Sequence, residues 1–310
     1  VFAVGHRQAE LGDNTMKTIS AHSAQKAMGD KCRGFTLLEL MIAIFVSLIF
    51  IGLVYSAYAV SQKTYMHQRL ISDVQQNVRG TMLMLQSYLR LAGSEGAANP
   101  IASVALLDIN GNQSTNGFPS ITISGDFDLD SNMDTAVFRL YDFMGDGIND
   151  MGLNLNGGGT QLLAEGIQAI GLAYAIDSNA DGLLDTIDTV NNNLIWAIDS
   201  NNDGLLDTNL DTNNDGVIDR NDDSDGDGFI TSSDGTNGAL NPQVSLDAIR
   251  LVQIWVLGQS QRQEPRGILD ANHFYVVGHR VVPNPANNPN GFNDRFRRRL
   301  MTSVVFCRNL

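Results

Sequence analysis

The alternation of hydrophobic and polar positions divides the chain into three regimes. Residues 40–60 contain no charged side chain, a run long enough to cross a bilayer at roughly 20 residues per span. After Val60 polar residues return, and Leu70, Val74, Val78, Met82, Leu85 and Leu89 recur every three or four positions, the spacing of one buried helical stripe. The pattern predicts a single helix over 36–91, apolar all round in its first half and amphipathic in its second, ended by Gly93, Gly96 and Pro100. Short β-rich runs follow at 136–141, 166–176, 246–257, 273–282 and 301–306, separated by turn clusters such as Asn156-Gly157-Gly158-Gly159 and Pro283-Asn284-Pro285. A long helix followed by strands is an α+β arrangement, in which an antiparallel sheet buries the helix's apolar stripe.

One residue breaks the first regime. Glu39 stands at the head of the apolar run, directly after Lys31-Cys32-Arg33-Gly34-Phe35-Thr36-Leu37-Leu38. A carboxylate near hydrocarbon costs about 2.5–3.5 kcal/mol on insertion scales, so it is expected to have a partner and a role. A plain signal anchor needs no such group. A secretory signal cleaved at Ala57-Tyr58-Ala59 would carry Glu39 inside an apolar region well beyond the usual ~7–15 residues.

The stretch resembles the processing site and N-terminal helix of a type IV prepilin. The resemblance implies cleavage after Gly34 by a prepilin peptidase and methylation of Phe35 as the new N-terminal residue. Glu39 then becomes the fifth residue, where it neutralises the N-terminal amine of a neighbouring subunit during filament assembly. Four parts are expected: a cleaved leader (1–34), a membrane or filament-core helix (35–60), an amphipathic helix (61–92) and a β-rich pilin domain (93–310). Met16-Lys17 would begin a leader of more usual size, so 1–15 reads as a start-site choice.

A narrower resemblance, to PilW-type minor pilins, rests on Gln76-Asn77-Val78-Arg79-Gly80, on Leu89-Arg90-Leu91-Ala92-Gly93, on the run 247–257, and on an arginine-rich ending from Arg297-Arg298-Arg299 to Arg308-Asn309. It covers the two ends well and the middle poorly. It implies a single-pass protein of the bacterial inner membrane with a periplasmic domain, later found in the pilus. Its expected partners are other minor and major pilins, the inner-membrane assembly platform and a large tip adhesin.

With 310 residues and 43% hydrophobic side chains the chain can bury a real core. Its formal charge is −14, and −16 without residues 1–34, which makes nucleic acid a poor partner. Cys32 falls in the leader, leaving Cys307 alone, so no intrachain disulfide is available to the mature chain. Metal ions are the obvious alternative cross-link for loops.

The region 177–234 contains fifteen Asp, no Glu or Lys, and one Arg, Arg220. It is built from repeats: 175–185 recurs as 197–207 with a single change, Ala180 against Asn202. Each copy has the D-x-N-x-D-G core of a calcium loop, with oxygen ligands at positions one, three and five and Gly at six for the sharp turn. The candidate ligands are Asp177, Asn179, Asp181, Asp185 and Asp188 in the first copy, and Asp199, Asn201, Asp203 and Asp207 in the second. Asp211, Asn213, Asp215, Asp219 and Asp222 form a third set; Asp223, Asp225, Asp227 and Asp234 form a fourth. Position twelve is Asp188, Leu210, Asp222 and Asp234 in turn, never Glu, so the second copy needs a ligand from elsewhere, with Asp211 the candidate. The pattern resembles dockerin-like or thrombospondin-like repeats more than helix–loop–helix sensors. Ca²⁺ is the expected cofactor, since Mg²⁺ keeps several waters and demands strict octahedral geometry. The run Asp142, Asp146, Gly147, Asp150 has Met144 at position three and reads as an ordinary acidic turn.

The chain offers no Ser/His/Asp grouping, phosphate-cradling Gly loop or zinc-ligand spacing, so an enzyme is not expected. His67 reads as a helix-surface residue, and His273 and His279 as separate. Trp196 and Trp255 lie in strand-like apolar runs and read as core rather than as a carbohydrate platform. The arginines at 295–299 read as a balance to the acidic domain or as a dock for a neighbouring subunit. The resulting expectation is a minor pilin that primes pilus assembly at the tip, with a type II secretion pseudopilin or a calcium-dependent tip adhesin as alternatives.

Overall fold

The computed structural model describes residues 34–94, 101–104, 120–201, 203–264, 269–271 and 273–307. The leader residues before Gly34, together with Arg308 and Asn309, lie outside the described residues. The chain divides into two compact units, 1–58 and 59–310. In the first, every described side chain is exposed, and these residues open α1 (Leu37–Leu91), an apolar helix long enough to cross a membrane. Its start is a capping box. The Thr36 amide donates to Glu39 Oε2 at 2.9 Å and the Glu39 amide donates to Thr36 Oγ1 at 3.2 Å, each satisfying a backbone donor that the first helical turn leaves open.

The second unit follows the expected α+β plan, with α1 entering a pilin-like set of antiparallel sheets. Its strands in chain order are β1 (Ile101–Val104), β2 (Ser120–Gly125), β3 (Asp134–Tyr141), β4 (Asp150–Leu155), β5 (Gln161–Ala164), β6 (Ile167–Ile176), β7 (Ala197–Ile198), β8 (Leu205–Asn209), β9 (Ala239–Ser245), β10 (Ile249–Gln259), β11 (Tyr275–Val277), β12 (Arg280–Val282) and β13 (Arg298–Phe306). The first five form a meander in chain order, and a six-stranded sheet runs β13-β10-β6-β7-β8-β9. β10 is the hinge of the second sheet, pairing antiparallel with β13 along one edge and β6 along the other.

The helical stripe reads out as expected. Val74, Val78, Met82, Leu85 and Leu89 are buried in one cluster with Phe138 and Met151 of the first sheet and Leu172 and Ile254 of the second. β6 explains why its sequence is a continuous apolar run: Ile170, Leu172 and Tyr174 belong to that cluster while Ala169 and Ala173 belong to another on the opposite face. A strand buried on both faces cannot alternate with polar residues. The second cluster is closed by Leu210 and Ile230 from the acidic region and by Val277 and Val282 of the β11–β12 hairpin.

Gly171 is fixed by that hairpin. A Cβ there would lie 2.3 Å from the Gly278 amide nitrogen and 2.5 Å from the Val277 carbonyl carbon, so backbone itself would have to move. Gly171→Ala is expected to cost about 1–3 kcal/mol, the usual range for overpacking a filled core, read as a lower denaturant midpoint.

The structure corrects three boundaries. The single run expected at 273–282 is two short strands, because Gly278 takes φ +64° and turns the chain back. The strand expected from 246 begins at Ile249, after a 3₁₀ turn whose start Ser245 caps by accepting the Asp247 amide. β13 begins three residues before 301. The acidic region also contributes β7 and β8, which lie between β6 and β9 and so belong to the sheet. Cys307 is a buried free thiol, pushed up to about 12 by burial. In the mature chain it is expected to resist maleimide at pH 8 until denaturant is added, with labelling followed by mass.

Candidate metal-binding loops

The four repeats fold onto one template. In the first, Asp177 Oδ1 accepts the Asp181 amide and Oδ2 the Gly182 amide, both at 3.1 Å. Asn179 Oδ1 also accepts the Asp181 amide at 2.9 Å, and Asp181 Oδ1 accepts the Leu183 amide at 2.8 Å. Asp199, Asn201 and Asp203 repeat the same bonds at the second copy, and Asp211, Asn213 and Asp215 at the third. Positions four and six are both left-handed, at Ala180 and Gly182, and again at Asn214 and Gly216. Such φ values favour Gly and Asn, which is why these residues punctuate the acids.

The loops close in two ways. In the third and fourth, the position-twelve carboxylate accepts the amide of position two: Asp222 from Thr212 at 2.8 Å and Asp234 from Ser224 at 2.9 Å. In the first two, position nine does this, with Asp185 accepting from Ser178 at 2.9 Å and Asp207 from Ser200 at 3.1 Å. The second loop therefore closes on its own Asp207, while Asp211 accepts the Asp215 and Gly216 amides of the third loop. Asp188 is turned away to the Val190 and Asn191 amides and to the Asn214 side chain. Asp219 caps the short helix Arg220–Asp222 by accepting the Asn221 amide.

The fourth loop has the strongest donor set. Asp223, Asp225 and Asp227 each place an oxygen within 4.8 Å of the others. Asp223 is 7% exposed, and its Oδ1 is buried without a hydrogen-bond partner. A bare buried carboxylate oxygen is costly unless a positive charge meets it. Burial pushes the Asp211, Asp222 and Asp223 carboxyls above their ordinary range, against the pull of backbone amides. Burial also acts on Asp234, but hydrogen bonds from Thr231 and Ser224 outweigh it and leave that carboxyl lowered. These oxygens suit a hard cation bound by carboxylate, amide and carbonyl groups.

Two further loops share the template. At 126–134, Asp126 accepts the Asp130 and Ser131 amides, Asp128 accepts the Asp130 amide, and Asp134 accepts the Phe127 amide. Asp126, Asp128 and Asp130 also bring oxygens within 4.8 Å of one another. Alternating Asp at 126, 128 and 130 was the available signal, masked by Ser131 at the glycine position, where φ is +66°. At 142–150, Asp142 accepts the Asp146 and Gly147 amides and Asp150 the Phe143 amide. The turn is built like the others, but Met144 supplies no oxygen at position three.

The remaining candidates separate. His67 Nδ1 lies 2.5 Å from Glu264 Oε1. His273 packs on Tyr275, whereas His279 stacks on Phe229 and is driven down to about 3 by burial and by Arg280. Arg297 pairs with Glu264, while Arg298 is buried between Asp270, Asp294 and the Phe292 ring. Those two arginines balance acids of their own domain, while Arg295 and Arg299 are exposed. Trp255 is core, but Trp196 is only half-buried. Gly34 and Phe35 are exposed at the start of the described chain.

No curated protein and no solved structure matches the chain. Residues 29–55 match the family model of the prokaryotic N-terminal methylation motif. The chain thus carries a type IV prepilin-like methylation motif, followed by a membrane-type helix and an α+β, pilin-like fold.

Proposed function

We propose that this protein is a minor type IV pilin of the PilW kind, with calcium held in its acidic loops. The methylation motif over 29–55 carries the reading. The continuous α1 supports it by joining a membrane-type half to a domain-packing half. Prepilin peptidase would cut after Gly34, and the mature chain would enter the inner membrane with its domain in the periplasm. It would then join other minor and major pilins at the pilus tip, with the assembly platform and a large tip adhesin as further partners. Glu39 would leave its capping bond with Thr36 to meet the amine of a neighbouring subunit.

The same motif and architecture also fit a pseudopilin of a type II secretion system. A strain lacking the gene separates the two. Loss of sheared surface pili with normal enzyme secretion is the expected result. Normal pili with impaired secretion would give the protein to the secretion machine, and normal pili with normal secretion would sink both readings. Glu39→Ala is expected to reduce surface pili at least tenfold while leaving the cleaved subunit in the membrane, measured by immunoblot of pilus and membrane fractions.

A further inference from the structure

We propose that a cleft on the outer face of the six-stranded sheet binds a neutral oligosaccharide. The cleft has a volume of about 660 Å³ and opens to solvent, within the size range of small-ligand sites. Trp255 of β10 floors it, and the half-buried Trp196 and Tyr275 present ring surface at its sides. Asp219, Arg220 and Gln253 line the same space. The polar groups are held in place: Arg220 lies 4.3 Å from the centroid of the Phe274 ring, and Asp219 caps the turn that carries it.

This mixture selects the ligand class. A purely apolar ligand would strip water from Arg220 and Gln253 without replacing its hydrogen bonds. A polyanion would approach through the field of the acidic repeats and be repelled. A sugar chain presents C–H faces to the rings and hydroxyls that both donate and accept, so it answers Trp196 and Tyr275 as well as the carboxylate, guanidinium and amide. The site goes beyond the pilin reading, and its wall at 216–221 is held by backbone amides that donate to Asp211, Asp215 and Asp219 of the third loop.

The test is tryptophan fluorescence of the full mature chain in a detergent without a sugar headgroup, titrated with cellotetraose, chitotetraose and maltotetraose. A saturable change with at least one of them is expected, with affinity reduced at least tenfold in Trp196→Ala and in Gln253→Ala. Gln253→Ala keeps the proposal testable should the tryptophan variant fail to fold. No saturable change with any of the three overturns it. So does binding that both folded variants retain, and so does a dimer that buries Trp196 in sedimentation experiments, which would give the cleft to a second copy.

Discussion

Chelating calcium from the mature chain is expected to lower its first thermal transition by on the order of 10 °C. Sites of the extracellular type bind at about 10⁻⁴–10⁻³ M. At 1 mM free ion and the tighter limit, binding contributes about 1.4 kcal/mol per site to the folded state. Four occupied loops would add on the order of 5 kcal/mol, and each kcal/mol moves the midpoint by about 2–4 °C in a domain of this size. The comparison is a circular dichroism melt in chelator, in calcium and in magnesium, the last expected to restore little. Asp223→Asn is expected to remove one ion per chain in equilibrium dialysis, because its bare Oδ1 has no other charge to meet. Superimposable melts, with no ion bound in dialysis, would remove calcium from the account.

Replacing Gly34 is expected to abolish maturation. The match to the methylation motif spans this position, and Gly34 is exposed with no atom within 4 Å of where a Cβ would stand. A larger residue therefore does not disturb the fold, and any effect is on recognition by the peptidase. Gly34→Val should accumulate as full-length precursor, longer than the mature chain by the whole leader and absent from sheared pili. N-terminal sequencing decides the matter. Recovery of chain beginning at an N-methylated Phe35 from that variant would reject the assigned cleavage point.

The helix and the central strands were legible because their burial is periodic or continuous. Met82 and Leu85 announce one face, and the apolar run of β6 announces two. The smaller strands were not legible. β4 contains Gly152 and Asn154, β7 is two residues long, and both are strands because neighbours already in place pair with them. The shared turn of the acidic loops was visible through its spacing, which repeats within the chain. The closing group was not, since choosing position nine or twelve depends on which carboxylate the position-two amide can reach. Asp188 shows the difference: it stands at position twelve and accepts the Val190 and Asn191 amides instead of the position-two amide. The loop at 126–134 escaped because Ser131 replaces the expected Gly, a strain that the surrounding hydrogen bonds tolerate.

The strand order of the six-stranded sheet divides responsibility for its integrity. β10, β13 and β6 hold one another through long registers, while β7 joins β6 by a single pairing, Tyr174 with Ala197. Beyond that pairing, β7 and β8 are chain supplied by the repeat region, and β9 pairs with β8. The backbone ladder is therefore narrow at that seam, and side-chain packing carries the join: Ala197 and Leu206 share a cluster with Ile176 and Ile254. If ions fill the repeats, withdrawing them would speed amide exchange at Ala197 and Thr208 while Val252 and Ile254 kept their protection. The inner strands would keep their packing on Val74–Leu89 of α1 while the outer strands responded to the ion content of the surroundings.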